Sequence, residues 1–225
     1  MAVAAVVFDL YGTLLAIGTM ARHVADEGVD DPEAFVAEWR RTQLEYAFLT
    51  SLAQAYRDFD ELTVLALERT CAVRGVTMSA SHRDALAARW RTMPAFDDVV
   101  PALTALRARG IPLAVLTNGA PSSARAVLQH AGVIDLLDDV LSVASVRAYK
   151  PDPRVYALAT ARFACGPRDI VFVSSNPWDA WGASNVGFRV AWCNRGTGVP
   201  ETLTPAAERT IADLHELEAF VADLP

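Results

Sequence analysis

Short runs of consecutive apolar residues recur along the chain and predict the strands of a buried sheet. Four clear runs and one weaker run lie at 3–8, 112–117, 170–174, 189–192 and, more weakly, 140–143. Runs without polar alternation suit parallel strands, which are covered on both faces. Between them, helical periodicity lies at 99–109, 122–131, 154–163 and 178–185. This alternation predicts an α/β fold with a doubly wound, mainly parallel sheet.

The pattern changes between Leu15 and Pro94, where amphipathic helices follow one another without a convincing strand. The predicted helices in this stretch lie at 33–56, 59–73 and 79–92. We expect residues 15–93 to form an inserted helical cap domain, and residues 1–14 with 94–225 to form the core domain. In open parallel sheets, ligands bind beyond the carboxyl ends of the strands, so a cap there could close over a site. A further amphipathic helix is predicted at 211–221.

Composition excludes several classes of function. The 225 residues are 52% hydrophobic and carry a net charge of −7, whereas nucleic-acid binders have a basic footprint. No apolar run approaches the roughly 20 residues of a membrane span. The three cysteines, Cys71, Cys165 and Cys193, are widely separated, which argues against disulfide bonds and favours a cytoplasmic location.

Polar side chains cluster at four points, each near the end of a predicted strand or the start of a helix. The clusters are Phe8–Leu14 (FDLYGTL), Leu116–Gly119 (LTNG), Tyr149–Asp152 (YKPD) and Ser174–Asp179 (SSNPWD). Any one of them could be an ordinary turn or helix cap. Together they predict one ligand site at the carboxyl edge of the sheet. Lys150 is the only lysine beside 19 arginines, and Pro151 suits the first position of a helix.

These four clusters resemble the motifs of the haloacid dehalogenase superfamily, which has a Rossmann-like core. The sequence segments at 8–14, 39–46, 149–156 and 174–183 are most similar to those of the L-2-haloacid dehalogenases. The resemblance implies that Asp9 is the nucleophile, that Lys150 pairs with it, and that Thr13 hydrogen-bonds near it. It also implies that Asp179, assisted by Ser174 and Asn176, activates or orients the hydrolytic water.

The resemblance further implies which residues bind the substrate, a short 2-haloacid. Thr117, where the subfamily usually has Ser, and the backbone amides near Leu10 and Tyr11 would hold its carboxylate. Arg40 and Asn118 match the pair that contacts the halide, and Leu44 lies one turn after Arg40. An aromatic wall would complete the pocket; its members are Tyr11, Phe59 and Trp178. Core packing of the cap is an equally good explanation for Phe59.

The same motifs distinguish a dehalogenase from the magnesium-dependent phosphatases of the superfamily. Tyr11 stands where phosphatases carry a second Asp as proton donor, and a halide needs no proton to leave. Ser174, Ser175 and Asn176 leave Asp179 as the single carboxylate of the fourth motif, so we expect no metal and no other cofactor. The alternatives are a fluoroacetate defluorinase, a Mg²⁺-dependent phosphatase and a non-catalytic binding protein. Dimerisation is common in the relatives, so a homodimer is a further expectation.

Overall fold

The computed structural model describes residues 3–196 and 198–224, and a six-stranded parallel sheet lies at their centre. The strands, in spatial order β3-β2-β1-β4-β5-β6, are β1 (Ala5–Phe8), β2 (Leu113–Thr117), β3 (Asp139–Ser142), β4 (Ile170–Ser174), β5 (Arg189–Cys193) and β6 (Arg209–Ile211). All neighbouring pairs in this sheet run parallel. The predicted α/β fold is confirmed.

Helices cover the sheet and fill the long connection between its first two strands. Their bounds are α1 (Met20–Asp26), α2 (Pro32–Leu52), α3 (Phe59–Arg74), α4 (Ala80–Ala88), α5 (Val99–Ala108), α6 (Pro121–His130), α7 (Pro153–Phe163), α8 (Pro177–Asn185) and α9 (Leu217–Ala222). Several begin with proline, whose fixed φ and missing N–H suit the first helical position. Helices α3 and α4 begin after Asp58 and Ser79, whose side chains accept hydrogen bonds from the first turn.

The register of the sheet brings the polar motifs to one edge. Strand β1 is buried along its whole length between β2 and β4, and Phe8 is aligned with Val115 and Val173. The chain therefore leaves all three strands at nearly the same level. Asp9 follows β1 directly, and Asn118 follows β2. This is the edge at which parallel sheets bind ligands.

Several details of the secondary structure differ from the predictions. The helix predicted at 211–221 is wrong in its first part, because strand β6 ends at Ile211 and α9 begins only at Leu217. Helix α1 was not predicted. Pro151 is not at the start of a helix: α7 begins at Pro153, because the Asp152 side chain accepts the hydrogen bond from Arg154 N and caps the helix there.

The helices between β1 and β2 contain the stretch predicted as a cap. Trp39 of α2 donates to the backbone oxygen of Thr63 in α3 over 2.9 Å, which links these two helices. The apolar core is continuous from Trp39 to β1, so packing joins this stretch to the sheet. The division into domains at 15–93 stays a prediction. No helix in the described part of the chain has the length and apolar character of a membrane span.

Candidate active site

Asp9 is a buried carboxylate held by three side chains from three different parts of the chain. Its Oδ2 accepts hydrogen bonds from Thr13 Oγ1 at 2.9 Å and Asn176 Nδ2 at 2.8 Å. Its Oδ1 accepts from Lys150 Nζ at 3.0 Å. The turn that begins here depends on Gly12, whose φ of +88° is costly for other residues. The geometry fixes the orientation of the Asp9 carboxylate.

Lys150 bridges two carboxylates in the interior. Its side chain is fully buried, and Nζ lies 3.0 Å from Asp9 Oδ1 and 2.9 Å from Asp179 Oδ2. Nζ also lies 5.0 Å from the centre of the Phe172 ring. Burial lowers the pKa of Lys150, but the charges of Asp179 and Asp9 outweigh it and the net pKa is raised. Lys150 is therefore charged at neutral pH, and the three groups together carry one net negative charge when both carboxylates are ionised.

Tyr156 belongs to the same network although the sequence did not identify it as a site residue. Its hydroxyl, carried by α7, donates to Asp179 Oδ1 over 2.7 Å. Burial raises the pKa of Asp179, and the negative charge of Asp9 adds to that rise, while Lys150 and Tyr156 oppose it; the net pKa is raised. Asp179 is therefore a stronger base than an exposed aspartate. Tyr156 lies in the stretch 149–156 that carries the resemblance, six residues after Lys150, but no local pattern assigns a role to its hydroxyl.

The loop after β4 is tied to the loop after β1. Ser175 N donates to Thr13 Oγ1 over 2.9 Å, so the Thr13 hydroxyl connects the two loops while it donates to Asp9. Ser174 is fully buried, and its Oγ accepts from Asn176 N at 3.2 Å. Ser174 therefore shapes the Asn176 loop, and within residues 3–196 and 198–224 its hydroxyl does not hydrogen-bond to the Asp9 carboxylate.

Thr117 is the last residue of β2 and Asn118 follows it, so both lie at the same edge of the sheet. Lys150 N donates to Asn118 Oδ1 over 3.0 Å, which fixes the orientation of the amide and leaves its NH₂ group as a donor. Thr117 Oγ1 accepts from Gly119 N at 3.0 Å. In the described part of the chain its hydroxyl proton has no acceptor. Both side chains can therefore donate to an anion.

Leu10 and Tyr11 supply backbone donors beside Asp9. Within residues 3–196 and 198–224, their N–H groups have no backbone acceptor. The Tyr11 ring packs edge-on against Trp90, with 5.6 Å between ring centres. Burial raises the pKa of the Tyr11 phenol well above its usual range, and the nearby charge of Asp60 adds to the effect. Tyr11 therefore remains protonated and is a poor proton donor.

Arg40 lies on α2, in the helical stretch between β1 and β2. Its Nη1 donates to Gln43 Oε1 over 2.6 Å, and its guanidinium lies 5.7 Å from the centre of the Trp90 ring. Burial lowers the pKa of Arg40, and the nearby Asp9, Tyr11 and Asp179 oppose this only in part, so the net pKa is lowered. Leu44 is partly buried one turn further along α2. The sequence did not identify Gln43 as a site residue.

The three aromatic residues expected to form one wall have separate partners. Tyr11 packs on Trp90, Trp178 on Phe48 at 5.3 Å, and Phe59 on Tyr149 at 5.7 Å. Tyr11 and Phe59 both line a cavity of about 210 Å³. Trp178 instead lines a second cavity, which also touches Lys150. The three rings therefore line two different cavities and do not form the single wall that was expected.

The donor set of the site suits an anionic organic substrate better than a metal ion. The described residues contain no group of three or more His, Cys, Asp or Glu side chains arranged to hold a metal. The position between the two carboxylates is occupied by the Lys150 ammonium. The site offers an oriented carboxylate, Asp9, a second carboxylate with a raised pKa, Asp179, and several N–H and O–H donors.

Comparison with known proteins gives consistent matches. A sequence model of the haloacid dehalogenase-like hydrolases matches residues 3–187. An (S)-2-haloacid dehalogenase of Pseudomonas sp. strain YL is 39% identical over 224 residues, with 97% of each chain covered. A crystal structure of an L-2-haloacid dehalogenase covers 99% of this chain and 100% of its own, at 37% identity and a TM-score of 0.95. A structure from Xanthobacter autotrophicus, with chloropropionic acid covalently bound, covers 100% of both chains at 30% identity and a TM-score of 0.94.

Proposed function

The chain belongs to the haloacid dehalogenase-like hydrolases, and within them to the L-2-haloacid dehalogenases, and we propose that it hydrolyses short 2-haloalkanoic acids through an ester of Asp9. It is a hydrolase that acts on carbon–halide bonds. The observation that carries the proposal is the buried Asp9 carboxylate, oriented by Thr13, Asn176 and Lys150. The covalent chloropropionic acid in the Xanthobacter relative supports an intermediate of this kind.

In the first step, an Asp9 oxygen attacks C2 of the substrate from the side opposite the halogen. Oδ2 accepts two hydrogen bonds and Oδ1 accepts one, so Oδ1 has the more available lone pair. The new C–O bond forms as the C–halogen bond breaks, and the electron pair leaves with the halide. Attack from behind inverts C2, so an L-substrate gives a D-2-hydroxy acid.

The surroundings of Asp9 suit an anionic substrate and an unprotonated leaving group. The Thr117 hydroxyl and the backbone N–H groups of Leu10 and Tyr11 would hold the substrate carboxylate. The Asn118 amide and the Arg40 guanidinium would stabilise the halide as its charge develops, which is where fixed donors accelerate a reaction. The protonated Tyr11 phenol fits this chemistry, because halide departure needs no acid.

In the second step, water attacks the ester carbonyl of Asp9 and the hydroxy acid is released. Asp179 accepts the proton of that water, with Ser174 and Asn176 shaping the loop beside it. The raised pKa of Asp179 makes its carboxylate a better base. The acyl C–O bond of the ester breaks, so the water oxygen enters the Asp9 carboxyl and the oxygen of the product comes from Asp9.

We propose further that the reaction needs no metal ion and that residues 15–93 act as a cap over the site. Lys150 supplies the cation that both carboxylates share, and Tyr11 stands where phosphatases carry their acid. Movement of the cap would carry Arg40 toward and away from Asp9. Exclusion of water by a closed cap would strengthen the hydrogen bonds to the halide.

The test is release of halide from fluoro-, chloro- and bromoacetate and from both enantiomers of 2-chloropropionate, with and without EDTA. We expect turnover of the L-enantiomer, equal rates with EDTA, and no turnover of p-nitrophenyl phosphate. Asp9→Asn is the inactive control. Loss of activity with EDTA, together with hydrolysis of p-nitrophenyl phosphate, would favour the phosphatase alternative. Absence of multiple turnover on every haloacid would favour a binding protein.

A further inference from the structure

Arg40 is a cation without an acidic partner in the described part of the chain. Its guanidinium donates to the neutral amide of Gln43, and its buried Nε has no acceptor among the described residues. The neighbouring Arg41 is different, because it pairs with Glu38 and Glu45 on the helix surface. The charge of Arg40 is therefore held in place without being neutralised by a carboxylate of its own.

The orientation of the Gln43 amide is set by a chain of hydrogen bonds from α3. Thr63 Oγ1 donates to the carbonyl oxygen of Phe59 over 2.7 Å, so its proton is already used. The same hydroxyl can then only accept, and Gln43 Nε2 donates to it over 2.6 Å. With its NH₂ group turned to Thr63, Gln43 presents its oxygen to Arg40. Each donor and acceptor in this chain is thereby assigned.

This chain of hydrogen bonds is buried and borders a cavity that Tyr11 also lines. Gln43 is fully buried and Thr63 nearly so, so both side chains have fixed conformations. Gln43 and Thr63 also line the 210 Å³ cavity that is bounded by Tyr11. The indole of Trp39 donates to the backbone of Thr63 and fixes the spacing of α2 and α3 at this point.

We propose that Gln43 and Thr63 are positioning residues that hold Arg40 as an uncompensated cation for the departing halide. This inference rests on the proposed function. A carboxylate at position 43 would pair with Arg40 and neutralise it, whereas the carboxamide accepts a hydrogen bond and leaves the full charge available. A neutral partner is therefore required at position 43, and Thr63 is required to keep its oxygen toward Arg40.

The experiment compares Gln43→Glu and Thr63→Val with the matched control Thr70→Val. Thr70 lies on the same helix, is fully buried, and donates to the carbonyl of Ala66 in the same manner, but it takes no part in this chain. The readouts are kcat on L-2-chloro- and L-2-bromopropionate, inhibition by bromide ion, and Tm. The Tm separates a loss of folding from a loss of halide stabilisation.

We expect Gln43→Glu to lower kcat on the chloro substrate about 100-fold, as for removal of one preorganised donor to a transition state. Thr63→Val should lower it roughly tenfold, because the amide can then turn away. In both variants inhibition by bromide should weaken, and the ratio of bromo to chloro rates should rise, because chloride needs more help to leave. Thr70→Val should keep the wild-type ratio and the wild-type inhibition.

If both variants kept the wild-type ratio of bromo to chloro rates and the wild-type inhibition by bromide, the inference would be overturned, even if Tm fell. The hydrogen bonds from Thr63 through Gln43 to Arg40 would then serve only the structure. Equal losses of kcat on the two halides would overturn it as well. Absence of halide release by the wild type would instead overturn the proposed function, and this inference with it.

Discussion

Removal of the Lys150 ammonium tests the electrostatics of the site most simply. In Lys150→Met a side chain of similar length replaces the cation, and the carboxylates of Asp9 and Asp179 lose a partner at 3.0 Å and 2.9 Å. Breaking a buried pair by deletion of one partner costs about 3–5 kcal/mol of unfolding free energy. At roughly 2–4 °C per kcal/mol for a chain of this size, Tm should fall by about 6–20 °C.

The size of that loss should depend on pH, with a sign fixed by the buried Asp179 carboxylate. Burial already raises the pKa of Asp179, and loss of the ammonium, which opposes that rise, should raise it further above the unfolded value of about 3.9. The folded variant then binds more protons than the unfolded chain between the unfolded and the folded pKa of Asp179. Its stability therefore falls as pH rises from the unfolded pKa to the folded pKa. The deficit against wild type should therefore be smaller at pH 5 than at pH 8.

Chemical unfolding at the two pH values measures the deficit, with two further variants for comparison. Lys150→Met combined with Asp179→Asn should regain much of the loss, because only one buried carboxylate remains. Arg41→Met removes an exposed cation whose side chain is 61% accessible, and should leave the free energy of unfolding nearly unchanged. A Lys150→Met deficit that is equal at pH 5 and pH 8 would refute the charge argument and leave only packing.

Three further predictions follow from contacts in the site. Tyr156→Phe removes a hydrogen bond that lowers the pKa of Asp179, so the acid limb of kcat should move to higher pH; an unmoved limb would exclude Asp179 as the titrating base. Gly182→Ala puts a methyl group against the Tyr156 hydroxyl and within 2.7 Å of Pro151 Cβ. The pH profile of kcat for this variant should therefore shift in the same direction as that of Tyr156→Phe, and a wild-type profile would contradict this packing. Lys150→Arg keeps the charge but needs room for a planar guanidinium in a fully buried position, so halide release should lose most of its rate; near-normal turnover would undo this account.

The sheet could be predicted from the sequence because its strands are short apolar runs with sharp polar ends. Parallel strands buried on both faces leave that pattern, and the runs at β1, β2, β4 and β5 agree with the structure within two residues. Strand β6 left no such pattern, because it contains Arg209 and Thr210 at the edge of the sheet. Its pairing with β5 comes from tertiary structure, and the helix predicted at 211–221 overlaps this strand only at Ile211.

The candidate site could be predicted where one residue type has a clear place at a strand end. Asp9 and Asn118 are of this kind, and the structure brings both beside Lys150. Tyr156 and Gln43 lie within helices. The helical periodicity of the sequence does not distinguish a buried polar residue with a role in the site from one that only packs in the core. Their roles depend on which atoms face them across the fold, and that information is not local in sequence.

A single turnover in H₂¹⁸O, with enzyme in excess over L-2-chloropropionate, tests the central claim most directly. The account predicts that the heavy oxygen enters the carboxyl group of Asp9, detectable by mass spectrometry of the peptide that contains it, while the first hydroxy acid released is unlabelled. Heavy oxygen in that first product and none in the enzyme would mean that water attacks the substrate directly, which would contradict the account.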